Sequence, residues 1–237
     1  VLFRSGQRAV RWEASGTRTD LPYPASAHPS LESRGMGIND LGVVVGEAVI
    51  QDKGPMACLW SADATPAVLP DYDRWSVGFL ANSIGNNGVV IGKGHVESVQ
   101  YMVRWNGLSQ PELLMTGQGV RVGASGSIIG TAGVAYPLKA FVWSPTDTVQ
   151  FIGPTPGDSN STPNPYPGAI NTYEVVVGFE PYFSRTRSWI WSAAAGRADL
   201  ESRLDPASTG WKLYTARGIN ASGVITGRGV NPSGDGR

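Results

Sequence analysis

Two histidines, one cysteine and 19 acidic side chains are the stock from which this chain of 237 residues could build a catalytic centre. Two histidines cannot supply the ligand count of an ordinary zinc site: His28 and His95 lie in loops of different copies that could meet across one face, but without further ligands they read as surface residues, and one cysteine, Cys58, cannot close an intrachain disulfide. The acids nearest to turn chemistry are Glu32, Glu47, Asp71, Asp73 and Glu180, and each reads as a solvated charge beside a turn. The sequence holds no G-x-S-x-G elbow, no phosphate-binding glycine loop, no H-E-x-x-H and no calcium-loop pattern. The expectation is therefore no catalytic residue, no metal and no cofactor: not an enzyme. Arg74, Arg121, Arg185, Arg187 and Arg217 form the nearest thing to a basic cluster, but 19 basic and 19 acidic side chains cancel. No nucleic-acid partner is expected from that balance.

The residues that could recognise a ligand are aromatic. Tyr23, Tyr72, Tyr136, Tyr166, Tyr182 and Trp211, with Trp75 and Phe183 beside them, fall in or next to segments of irregular length. A ring with a polar tip stacks on sugars and on protein partners alike, so the first six are the candidate ligand-binding residues. Trp75 and Trp211 also read as packing wedges near strand starts.

These residues must be positioned by a repeat. An aliphatic residue is followed eight positions later by Gly five times: Ile38 to Gly46, Ile84 to Gly92, Val122 to Gly130, Ile170 to Gly178 and Ile219 to Gly227. A Trp is followed nine positions later by an aliphatic residue five times, beginning at Trp12, Trp60, Trp105, Trp143 and Trp191. The runs Val43–Val45, Val89–Ile91 and Val175–Val177 are β-branched and bounded by Gly, and the Asn-x-x-Gly tetrads are hairpin-turn chemistry. Naming the strands A (ending in Ile-Asn), B (Val-rich), C (Trp) and D gives four antiparallel strands per copy, which is one propeller blade. The five repeat tryptophans are expected in the core.

Blade boundaries fall at about 22–69, 70–114, 115–152, 153–200 and 201–237, the last completed by 1–21. The sequence thus predicts an all-β, single-domain, five-bladed propeller, closed by pairing of Ala9–Trp12 with the strand ending at Gly227 and leaving no open edge. The ends of the innermost strands, such as Met36-Gly37 and Arg217-Gly218, carry no carboxylate, which argues against a central acid pair of glycosidase type.

The pattern G-I-N-x-x-G-x-V-V-G followed by A-x-x-W resembles the HAF-type repeats of bacterial proteins described as extracellular repeat proteins, over about Arg8 to Gly227. The resemblance implies a propeller and an extracellular or cell-surface setting, and it brings no catalytic residues. Two copies depart from it. Val122-Gly123-Ala124-Ser125-Gly126 replaces Ile-Asn in the third, and Glu174 replaces the turn glycine in the fourth.

The B to C and D to A connections share one face, and they differ from copy to copy. The residues after the repeat glycine are Glu47, Lys93, Thr131, Phe179 and Arg228. That diversity favours a non-catalytic module that binds one protein or glycan ligand through a composite loop face, as a monomer. Lectin-like carbohydrate binding at aromatic pockets is the alternative, and a glycoside hydrolase with loop-borne acids is the third reading. The longest apolar runs, such as Met56–Trp60, fall far short of the ~20 residues that span a bilayer. Val1 to Gln7 carry no signal-peptide pattern and are set aside from the fold argument.

Overall fold

The computed structural model describes residues 7–26, 32–72, 77–133, 137–154, 164–182 and 185–234. It divides into two compact units, Val1–Gly119 and Val120–Arg237.

In the first unit, β1 (Val10–Trp12) and β2 (Arg18–Asp20) form a two-stranded hairpin. Next comes a four-stranded antiparallel meander of β3 (Ser33–Ile38), β4 (Val44–Ile50), β5 (Gly54–Trp60) and β6 (Pro66–Val68). A second meander follows in β7 (Val77–Ile84), β8 (Val89–Val96), β9 (Val99–Asn106) and the start of β10 (Glu112–Val122). The second unit continues with the end of β10, β11 (Ile128–Ala132), β12 (Lys139–Trp143) and β13 (Val149–Phe151). It then forms the sheet β14 (Tyr166–Ile170), β15 (Val176–Tyr182), β16 (Arg185–Ser192) and β17 (Gly196–Asp199). Two 3-10 turns, Leu200–Arg203 and Pro206–Ser208, lead to the hairpin β18 (Lys212–Ile219) and β19 (Ile225–Val230).

The repeat glycine has a mechanical reason. In four A strands, β3, β7, β14 and β18, a register shift bulges the backbone toward B, for instance between Gly35 and Gly37 in β3 and between Ala81 and Ser83 in β7. A Cβ on Gly46 would lie 1.9 Å from the Arg34 carbonyl oxygen, and one on Gly92 would lie 1.8 Å from that of Leu80. Only glycine fits under the bulge.

The turn asparagine ties neighbouring sheets together. Asn39 Oδ1 accepts from the N–H groups of Leu41 and Val43, while its Nδ2 donates to the Gly85 carbonyl in the next sheet at 3.1 Å. Asn171 repeats this with Tyr173, Val175 and the Asn220 carbonyl. The two departing copies keep the turn. Gly126 takes φ 89° in the third, and Glu174 itself takes φ 59° in the fourth, where its carboxylate accepts from Ser127 Oγ at 2.5 Å.

The tryptophans fill the spaces between sheets unequally. Trp60 and Trp105 are fully buried, and their indole N–H groups donate to the carbonyls of Pro22 and Pro70, just past the aliphatic residue that ends the preceding D segment. Trp191 is buried as well, and Trp143 is half-buried. Trp12 departs from the expectation of a core residue: it is 64% exposed.

The expected ladder between Ala9–Trp12 and the strand ending at Gly227 is not among the strand pairings of the described residues. β1 has β2 as its sheet neighbour, and β19 has β18. Each hairpin is held instead by its side face. Ala9 and Leu21 pack with Val44, Cys58 and Trp60, and Ala216 packs with Ala169 and Val177. The closed five-bladed ring is therefore not seen, and the architecture shown is all-β, antiparallel and propeller-like. Among the described residues no helix is long and apolar enough to cross a membrane.

Candidate functional site

Strand alternation sends Phe179 and Glu180 of β15 to opposite sides of their sheet. Glu180 is fully buried, directly across from Arg187 of β16. Its Oε1 accepts from Arg187 Nη2 at 2.6 Å and also pairs with Arg197 Nη2 of β17. Arg197 lies with its guanidinium 5.0 Å from the Trp189 ring and donates from Nη1 to the Gly153 carbonyl at 3.3 Å. Arg187 Nε stands 3.9 Å from Asp199 Oδ2, which brings a second carboxylate to the cluster. The expectation of Glu180 as a solvated loop acid is thus corrected. The β15–β16 ladder runs on to Tyr182 and Arg185, so Glu180 is a strand residue whose face is covered.

A sequence signal for this cluster existed. Two positions after the repeat glycine the other copies carry Ala48, Gly94, Ala132 and Gly229, small residues where sheet meets sheet, whereas the fourth copy carries Glu180. A buried carboxylate there demands cationic partners, because an isolated charge loses several kcal/mol of hydration.

Arg197 also reaches the wall of a pocket of about 370 Å3 on the side of the B to C and D to A connections of the second unit. Leu138 and Lys139 enter from the start of β12, Phe151 and Pro154 from the end of β13 and beyond, and Pro165 from just before β14. The Leu138 N–H donates to Asn164 Oδ1 at 2.8 Å, which fastens the two connections together; Asn164 is buried and takes φ 66°. Lys139 Nζ lies 5.6 Å from the Phe151 ring centre. The described lining thus combines apolar ring surfaces with the exposed Lys139, the Glu180-paired Arg197 and no carboxylate of its own. Chemically it suits an anionic group attached to a compact body with C–H faces.

The six aromatic candidates are scattered among different environments. Tyr23 donates from its hydroxyl to the Gln7 carbonyl at 3.3 Å and carries the Arg8 guanidinium on its ring. Tyr72 is exposed. Tyr166 stacks on Phe179 at 5.5 Å, with Arg217 4.9 Å over that same Phe179 ring. Trp211 lines a second pocket of the second unit, beside Leu213 and Ile225. Tyr182 closes β15 through its backbone, and its side chain lies outside the description, as do Tyr136, Trp75, Phe183, His28 and Asp73. Of the loop acids, Glu32 is exposed, Asp71 pairs with Lys53 at 2.6 Å and Glu47 with Arg34 at 3.4 Å. No group of three potential metal ligands occurs among the described residues.

No protein-family model matches the sequence, and no curated protein does. Solved structures do resemble the fold. Dipeptidyl peptidase 4 from Porphyromonas gingivalis aligns with 92% of this chain at TM-score 0.52 and 9% identity, and the chain spans 40% of that peptidase's length. A gluconolactonase from Xanthomonas campestris aligns with 96% of this chain and 77% of its own, at TM-score 0.48 and 11% identity. Likeness at such identity shows the fold alone. The expectation that the chain is no enzyme is corrected to this extent: the fold it shares with that peptidase occurs in an enzyme, so the lack of familiar motifs in the sequence does not argue against catalysis.

Proposed function

We propose that the chain is a ligand-binding propeller whose loop face takes an acidic sugar or sugar-like carboxylate in the pocket formed by Lys139, Phe151, Pro154, Pro165 and Arg197. One observation carries this reading: a pocket of about 370 Å3 with ring-faced walls, an exposed Lys139 at its edge and no carboxylate among its described lining residues, Arg197 being already paired with Glu180 behind the wall. That volume lies in the range of small-ligand sites. Lys139 is exposed and supplies the mobile charge for a carboxylate, while Phe151 and the prolines offer flat surface to C–H bonds. Arg197, buried and held by Glu180, forms a fixed wall beneath, and the charge that selects the ligand is that of Lys139.

In this reading the scaffold is a five-bladed ring whose fifth blade is shared between β18–β19 and β1–β2. An exported, extracellular setting, as the resemblance to HAF-type repeats implies, fits an environment in which acidic glycans are met.

The test is an array of acidic and neutral oligosaccharides probed with the labelled chain and with Lys139→Gln. Binding confined to uronate-bearing glycans, and about tenfold or more weaker in the variant, is the expected result, since a charge-assisted contact is removed. Equal binding of neutral glycans, or binding unchanged in Lys139→Gln, would overturn it.

A further inference from the structure

The pocket bounded by Lys139 and Phe151 has bare backbone at Gly153, which also lines it and is exposed. The Ile152 N–H donates to the Ala140 carbonyl at 2.8 Å, so the β12–β13 register, with Phe141 opposite Phe151, runs on past the end of β13. Carried one residue further, that register brings Gly153 across from Lys139, and strand alternation puts its missing side chain on the same face as Phe151. The fold does not ask for glycine here. Gly46, Gly92, Gly178 and Gly227 each have a partner carbonyl oxygen within 2.3 Å of where a Cβ would sit, while Gly42 and Gly88 take φ of 76° and 80°. Gly153 has neither reason: its φ lies outside the left-handed range, and a Cβ there would meet no atom of a described residue within 4 Å. Glycine in an extended segment costs chain entropy and returns no packing, and it is common where a ligand comes close to the backbone.

We infer that Gly153 is a specificity-determining residue: it leaves a notch beside Phe151 and Lys139 that seats the pyranose ring of a uronate against bare backbone, with a C–H face on Phe151 and the carboxylate at Lys139 Nζ. This rests on the acidic-sugar reading of the pocket. The Gly153 carbonyl accepts from Arg197 Nη1 at 3.3 Å, so the floor of the notch is braced. A side chain at position 153 takes the place of the sugar ring and leaves the cation where it is. Position 153 thus sets the bulk that the pocket admits, and Lys139 sets the charge.

The experiment titrates the full chain, Gly153→Ala, Gly153→Leu and Lys139→Gln with a disaccharide ending in glucuronate, and follows the thermal unfolding of each. The Kd is expected to rise about threefold in Gly153→Ala and at least about thirtyfold in Gly153→Leu, as the added side chain fills the notch. The unfolding midpoint of Gly153→Ala should equal or exceed that of the unaltered chain, because an alanine that meets no neighbour only narrows the unfolded ensemble. Binding that remains in Gly153→Ala should still weaken with added salt as it does in the unaltered chain, since the contact with Lys139 persists. Undiminished binding in Gly153→Leu, with binding weakened in Lys139→Gln, would sink the notch and leave the acidic-sugar reading standing. A clearly lower unfolding midpoint in Gly153→Ala would show that the fold itself holds the glycine, and would also overturn the inference. No binding of the disaccharide by the unaltered chain would overturn both.

Discussion

Glu180 holds two arginines inside the second unit, and removing its charge should be costly. Glu180→Gln leaves Arg187 and Arg197 buried with their close carboxylate gone, so urea unfolding should show a loss of about 3 kcal/mol or more. Replacing all three residues by apolar ones of similar volume should restore most of that loss, because the cluster is no stronger than a packed apolar core. Cys58 gives a second check. Burial pushes its thiol up from 9.0 to about 12, against a smaller downward pull from the Ala48 backbone. The native chain should therefore resist thiol reagents at pH 8 and react only when unfolded. The folded pKa exceeds the unfolded one, so this thiol's contribution to stability is intact below about pH 9 and is lost as pH rises toward 12. At this scale the sequence was only partly readable. Cys58 is legible as a small buried residue because its equivalents Val10, Val103, Phe141 and Trp189 are apolar. Glu180 is legible as an exception to its template, but not as a buried one, since nothing local says how far the β15–β16 ladder extends.

Among elements, the A–B hairpin is the unit on which each copy is built. Gly92→Ala would drive a Cβ to 1.8 Å from the Leu80 carbonyl oxygen, so the bulge must yield. A loss of about 2 kcal/mol or more in thermal or urea unfolding is expected. Asn171→Ala removes two accepted N–H bonds and the link to the Asn220 carbonyl, and should cost about 1–3 kcal/mol. Spacing alone reveals that the glycine and asparagine recur, and turn chemistry explains Gly42 and Gly88. The bulge that demands Gly46 and Gly92 is invisible in sequence, because it depends on the register of a partner strand. Glu174 illustrates a converse case: a residue unsuited to the turn keeps the left-handed backbone and gains a bond to Ser127 of the neighbouring sheet. Glu201 plays a comparable bracing role between β16 and β18, where it accepts from Arg185 and from the Leu213 N–H. Burial pushes its carboxyl up, but the Leu213 N–H, Arg185 and Lys212 outweigh that and hold it below the ordinary carboxylate range. Its contribution is therefore present above about pH 4.5 and fades as pH falls through the lowered value.

For the whole molecule, the recurrence of Trp and Gly at fixed spacing made the all-β, four-stranded organisation readable without coordinates. The binding face was readable only as a side of the scaffold. Its pocket is assembled by residues 137–139, 151–154, 165 and 197, no two groups of which share a motif. Aromatic content pointed instead to Tyr166, whose ring stacks on Phe179, and to Trp211, which lines the other pocket. Because Lys139, Phe151 and Arg197 have no matching set in the other copies, the molecule should hold one ligand, not one per blade. Calorimetric titration of the full chain with an acidic disaccharide and its neutral counterpart tests this most directly. The account predicts a single saturable site for the acidic sugar, weakened about tenfold in Lys139→Gln, and no measurable heat with the neutral one. Several equivalent sites, or equal affinity for the neutral sugar, would contradict it.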